Sequence, residues 1–212
     1  MRECTESEFL KDVATHKMTI LYADGLYRHL KFRASINCWN QWFEIITWPN
    51  ALTLAGDMGT WTFSRVEDMF TFFRGSADGP LKINEGYWAE KLQGGDCYGS
   101  RAGAMQFDAD YFRELLFRQP RECHSLEADQ IEFIERELKN DFRRCEDNEH
   151  EAVRIAYEFH CEVPGYGRFE FSGSDLPDGR VYTYRFIWCL YAIVWGIRQW
   201  DVATKPPEEQ SA

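Results

Sequence analysis

A chain of 212 residues that is 44% hydrophobic and 16% aromatic carries enough apolar material for one large or two small packed domains. A formal charge of −11 argues against non-specific binding to nucleic acid, which depends on Lys and Arg neutralising phosphates. The longest apolar run, FIWCLYAIVWGI at 186–197, lies between Arg185 and Arg198 and falls short of the about 18 to 20 residues needed to cross a bilayer, so it predicts a buried helix and no membrane partner.

The start, MRECTESEFLKDV, is acidic and polar where a signal peptide is basic and then apolar, and the seven cysteines include no CxxC pair. Both features predict a cytoplasmic protein with reduced thiols. Thr5 and Glu8 stand at capping-box spacing and open a short helix over about 5–14. KMTILYA and LYRHLKFRA follow, separated by Asp24-Gly25, a dipeptide that accepts a tight hairpin turn. In the second run Leu26, Arg28, Leu30 and Phe32 alternate with Tyr27, His29, Lys31 and Arg33, the period of a strand with one buried face. NQWFEIITW, ALTLAG and TWTFS supply three more strands, with Pro49 ending the first and Gly56–Gly59 turning between the last two. Ser64 and Glu67 have capping-box spacing, and Val66, Met69, Phe70 and Phe73 then share a helical face that predicts a helix covering the sheet.

INEGYWAEKLQ reads as a short helix between two Gly-, Asp- and Ser-rich stretches, the second of them a mobile loop. From Asp108 the rhythm is helical: ADYFRELLFRQ, then a run from Ser125 in which Ile131, Ile134, Leu138 and Phe142 recur every three or four residues. VPGYGRFEFSGSDLPDG interrupts it, with room for a strand at RFEF, and YTYRFIWCLYAIVWGIRQWD resumes as a long buried helix. The expected fold is α+β: an antiparallel five-stranded meander with helices packed on one face and a helical C-terminal half. Its expected parts are a sheet with covering helices over 1–93, a loop over 94–107, a mainly helical region packing on the sheet over 108–205 and a disordered tail over 206–212.

YRHLKFR (27–33), ITWP (46–49), WPNALTLAGDMGTWTFSRVEDMFTFFR (48–74) and GYWAEKLQ (86–93) resemble a conserved family of tailed-bacteriophage and prophage proteins that carries no assigned activity. The C-terminal YTYRFIWCLYAIVWGIRQWD extends the likeness. The resemblance transfers no catalytic or binding role to any position. It implies a context: a small accessory protein acting on a bacterial host protein, including components of restriction or CRISPR defence.

Motifs of catalysis are sparse. Neither GxxxxGK[ST] nor GxGxxG occurs to gather backbone N–H groups around a phosphate, and GxSxG is absent as well. Cys123, His124, Cys145, His150, His160 and Cys161 form the only plausible metal set, and they lack the compact pair that begins a zinc site. No metal, cofactor or catalytic residue is assigned. An enzymatic cleft would require Asp57, His29 and Arg65 to converge.

Charge and aromatic content give two binding readings. Between Glu122 and Glu151 eleven acidic residues face four basic ones, and Glu127, Asp129, Glu132, Glu135, Glu137, Asp141, Glu146, Asp147 and Glu149 are the candidate acidic surface for a host protein. On this reading the chain binds and inhibits its target without turnover. The alternative is a single-stranded nucleic-acid or nucleotide module on the sheet, with Arg28, Lys31 and Arg33 beside stacking aromatics. Eight Trp, ten Tyr and sixteen Phe exceed what one small core hides, notably Trp39, Trp42, Trp48 and Trp61, and a homodimer is a further use for the surplus.

Overall fold

The computed structural model describes residues 4–95, 103–144, 148–174 and 176–204. The chain divides into two compact units, one of residues 1–105 and 182–212, the other of residues 106–181.

In the first unit, α1 (Glu6–Asp12) begins with the expected capping box, Thr5 Oγ1 accepting from Glu8 N–H and the Glu8 carboxylate accepting from Thr5 N–H. β1 (Lys17–Asp24) and β2 (Tyr27–Arg33) form the hairpin, with Gly25 at φ 57° supplying the left-handed turn. β3 (Phe43–Trp48), β4 (Ala51–Gly56) and β5 (Gly59–Ser64) continue the meander. α2 spans Met69–Phe73, α3 spans Glu85–Ala89, and β6 (Leu92–Gly95) closes the sheet. The strand order is β1-β2-β3-β4-β5-β6, every described register being antiparallel.

The sheet therefore has six strands where the sequence predicted five. INEGYWAEKLQ is helical only through Ala89, and Leu92 pairs with Phe63, Gly94 with Thr62 and Gly95 with Trp61. Gly95 lies against the Trp61 ring so closely that an added Cβ would come within 2.5 Å of it. The start of α2 also differs. Asp68, not Ser64, caps it, accepting from Phe70 N–H at 3.0 Å.

In the second unit the chain runs through α4 (Ala109–Glu122), α5 (Ala128–Asp141), a 3-10 turn at Phe142–Arg144 and α6 (Glu149–Glu158) into a hairpin of β8 (His160–Val163) and β9 (Gly167–Glu170). Its core is Phe112, Leu116, Ile134, Leu138, Phe142, Ala152, Ala156, Phe159, Val163 and Phe171. The strand allowed at RFEF is thus β9, paired back to β8 through the Gly165 and Gly167 turn. β7 (Met105–Phe107) and β10 (Arg180–Tyr182) pair with one another, and α7 (Tyr184–Thr204) follows as one buried helix of 21 residues. No helix among the described residues is long and apolar enough to cross a membrane. The loop expected at 94–107 and the tail at 206–212 lie partly or wholly outside the described residues.

α1, α2 and α7 belong to the first unit and pack with the sheet. Period-two alternation sends one set of side chains into that layer: Leu30, Ile45, Leu54 and Trp61 stand abreast across β2 to β5, with Phe32 and Phe43 in the next row. All but Trp61 are fully buried, and Trp61 is 2% exposed. Rings interlock on the helix side: Phe9 meets Trp188 at 5.1 Å, Trp61 meets Phe186 at 5.1 Å, and Phe63 meets Phe73 at 5.2 Å. Much of the aromatic surplus is consumed here. Gly196 lets α7 approach the sheet, since an added Cβ would lie 2.5 Å from Ile45 Cδ1.

Candidate functional site: the outer face of the sheet

The same alternation leaves a second face. It carries Lys17, Thr19, Tyr22 and Asp24 from β1, Tyr27, His29, Lys31 and Arg33 from β2, Glu44, Ile46 and Trp48 from β3, Thr53 from β4, and Thr60 and Thr62 from β5. Where the helix side is buried at Leu30, Phe32, Phe43, Ile45, Leu52, Leu54, Trp61 and Phe63, these positions are exposed or half-buried. Thr53 and Thr62 hydrogen-bond across the strands at 2.9 Å, a cross-strand pair that steadies the face.

Its centre is a charged network. Glu44 Oε1 accepts from Lys31 Nζ at 2.7 Å, and Glu44 Oε2 lies 2.7 Å from His29 Nε2. Register explains the meeting, because Lys31 stands directly opposite Glu44 and His29 opposite Ile46, one diagonal step away. Burial works to raise the Glu44 carboxyl, but the hydrogen bonds and charges of Lys31 and His29 together outweigh it and hold the carboxyl below its ordinary value. Glu44 is therefore an anion at neutral pH. Trp42 and Trp39 cover Lys31, their ring centroids 5.1 Å and 5.9 Å from Nζ, and the two indoles meet edge to face at 5.5 Å. Trp39 is 61% exposed, and Ile36, whose carbonyl accepts from Arg33 Nη1 at 2.9 Å, is 73% exposed.

The basic trio predicted for nucleic acid is divided. Lys31 and Arg33 share the outer face, but Arg28 points into the helix side beside Leu30 and Phe32. There it forms a bidentate pair with Asp68, at 2.8 and 3.1 Å, and its guanidinium stacks 4.4 Å from the Phe70 centroid. Burial favours a raised Asp68 carboxyl, and the bonds from Arg28 and from Phe70 N–H overcome it, so Asp68 too sits below its ordinary value. Of the tryptophan cluster, Trp39, Trp42 and Trp48 belong to the outer face, whereas Trp61 is core.

The predicted acidic surface is also redistributed. Glu135 is held by Arg121 at 2.6 Å, Glu137 by Arg136 at 3.2 Å, and Glu149 by Arg180. Asp129 Oδ1 accepts from Gln130 N–H at the start of α5, and Glu127, Glu132 and Asp141 are exposed. Glu146 and Asp147 lie outside the described residues, as does Cys145. The solvent stripe of α5 and its 3-10 turn reads Asp129, Glu132, Arg136, Lys139 and Arg143, which is not a single-sign surface.

Asp57 and Arg65 flank opposite ends of β5, Asp57 accepting from Gln41 N–H at 2.8 Å, and His29 has Glu44 for its partner. The three do not converge. Among the described residues no group of three or more His, Cys, Asp or Glu side chains is placed to hold a metal ion.

Sequence reasoning passed over Glu44 and Ile36. The alternation within FEIITW places Glu44 on the outer face with Ile46 and Trp48, a signal available in the sequence. The contact of Ile36 with Arg33 comes from an irregular loop and had none.

These features define a class: an α+β protein whose six-stranded antiparallel sheet is backed by helices on one side and presents a charged, aromatic face on the other. Compared with known proteins, the chain matches no family model, no curated protein and no solved structure.

Proposed function

We propose that this chain is a binding protein that works without turnover and engages a protein partner through the outer face of its sheet. The observation that carries this reading is the exposed Trp39, with exposed Ile36 in the same β2–β3 loop, beside the mutually neutralised Lys31–Glu44–His29 network. Exposed Trp next to satisfied polar groups has the anatomy of a protein interface, where a few large anchors supply most of the affinity and a polar surround excludes water. Phosphate recognition asks for cations with charge to spare. Here Lys31 already has a carboxylate and Arg28 is committed to Asp68 on the other side, which leaves of the trio only Arg33, bonded to the Ile36 carbonyl, with its charge unmatched among the described residues.

The likeness to phage proteins across 27–33, 46–49, 48–74 and 86–93 supports a bacterial host protein as the partner, including a restriction or CRISPR component, met in the host cytoplasm and inhibited by occupation of its surface. The contact is placed on the sheet in preference to the acidic helices because Glu135, Glu137 and Glu149 are paired within their own unit.

The test is capture of a host protein from nuclease-treated bacterial lysate by three tagged forms: wild type, the double variant I36A/W39A, and the charge-reversed D129K/E132K. A stoichiometric protein retained by wild type and D129K/E132K but lost by I36A/W39A is expected. Loss with D129K/E132K alone would return the contact to the acidic helices, and recovery of nucleic acid alone from untreated lysate would favour the nucleic-acid reading.

A further inference from the structure

β1 is one edge of the six-stranded sheet, and its second backbone edge has no strand partner among the described residues. Every position along it except Met18 is exposed. Its middle is apolar: Ile20, Leu21 and Tyr22 are 44%, 49% and 55% exposed. A long edge strand with an apolar centre templates pairing with another chain, and proteins that remain single blunt such edges with charge or proline. Here the charges stand only at the two ends, Lys17 and Asp24.

The register of β1 on β2 slips between Ile20 and Tyr22, leaving Leu21 as the extra residue of a bulge. A bulge in an edge strand commonly turns it away from a partner, but this one has a second effect. Before it, Lys17 and Thr19 stand opposite Arg33 and Lys31 and share the outer face. After it, Tyr22 and Asp24 stand opposite His29 and Tyr27 and share that same face. Met18, Ile20 and Ala23 stand opposite Phe32, Leu30 and Arg28 on the helix side. Residues equidistant from the Ile20–Leu21 bond therefore lie on one face: Lys17 with Asp24, Thr19 with Tyr22, Met18 with Ala23. In an uninterrupted strand each of these pairs, separated by an odd number of positions, would be split between faces.

We propose that β1 pairs antiparallel with β1 of a second copy of this chain about a two-fold axis at the Ile20–Leu21 bond, joining two six-stranded sheets into one of twelve. Lys17 then stands opposite Asp24 of the partner subunit, and Thr19 opposite Tyr22 of the partner subunit, with both relations repeated by symmetry. The exposed Ile20 stands opposite Leu21 of the partner subunit, and Leu21 opposite Ile20 of the partner subunit, so that both leave water at the axis. The two outer faces become continuous, so one dimer presents two Trp39 apexes on one surface. This inference stands independently of what binds that surface.

The test is sedimentation equilibrium across low to high micromolar protein for wild type, K17D, D24K and the double variant K17D/D24K, with L21K as a further control at the axis. Wild type is expected to be a concentration-dependent dimer. Each single swap sets like charges opposite one another at two symmetric places and should raise the dimer dissociation constant about tenfold, and the double swap should restore it. L21K should be monomeric with an unchanged circular dichroism spectrum. A wild-type monomer at every concentration overturns the proposal, as does a dimer that single swaps leave intact or that the double swap does not recover.

Discussion

Arg28 and Lys31, three residues apart on β2, lie on opposite faces of the sheet, Arg28 paired with Asp68 beneath the helices and Lys31 with Glu44 on the outer face. The two cations consequently have different work. Removing Arg28 strands the Asp68 carboxylate, which also caps α2, so Arg28→Ala should cost about 3 kcal/mol of stability. Lys31→Ala should cost only about 1 kcal/mol, because Glu44 keeps His29 as a partner and its side chain is partly exposed. Urea denaturation of the two variants checks the ranking, and equal losses would contradict it.

The low-lying carboxyls of Glu44 and Asp68 contribute to the loss of stability in acid. Their ordinary values are 4.5 and 3.8, and both are depressed in the folded chain, so between the unfolded and folded values the unfolded state binds more protons. The stability they contribute is fully present above the ordinary values and is lost as pH falls through the depressed ones. Glu44→Gln should flatten the fall of unfolding free energy in that acid window, and a slope identical to wild type would contradict the assignment.

His16 acts nearer neutrality. Burial lowers its pKa from the ordinary 6.5, with the Gln41 carbonyl at 3.0 Å and the charge of Asp12 offsetting part of the effect. Folding thus favours the neutral ring: stability is complete above 6.5 and declines as pH drops below it towards the folded value. His16→Gln should remove this decline. Unfolding free energies measured on either side of pH 6.5 check it.

Two glycines should respond to alanine with opposite signs. At Gly196 the new Cβ meets Ile45 Cδ1 at 2.5 Å within a filled core, so Gly196→Ala should destabilise by about 1–3 kcal/mol despite its gain in helix propensity. At Gly86 in α3 an added Cβ would meet nothing within 4 Å among the described residues beyond its own helix, and Gly86→Ala should stabilise by roughly 0.5–1 kcal/mol. Thermal melts of the pair give the signs directly.

The strands that were legible in the sequence are those with strict alternation and a marked turn. Leu30 and Phe32 facing away from Lys31 and Arg33, with Gly25 in the hairpin, needed no tertiary information. That alternation already placed Arg28 with the apolar set, although its charge invited grouping with Lys31 and Arg33. β6 was hidden because LQGG has no β-branched residue and exists as a strand through its pairing with β5, where Gly95 makes room for Trp61. The true cap of α2 was obscured by a local rival: Ser64 and Glu67 have the right spacing, but Asp68 is fixed from 40 residues away by Arg28. The acidic segment showed its composition in sequence but not its partners, since Arg121 and Arg180 reach Glu135 and Glu149 from other elements.

Photo-crosslinking tests the central claim most directly. A benzophenone side chain is placed at Trp39 in one variant and at Glu132 in another, and each is irradiated in nuclease-treated bacterial lysate. The account predicts a discrete protein adduct from position 39 and none from position 132. An adduct from 132 with none from 39 would contradict it.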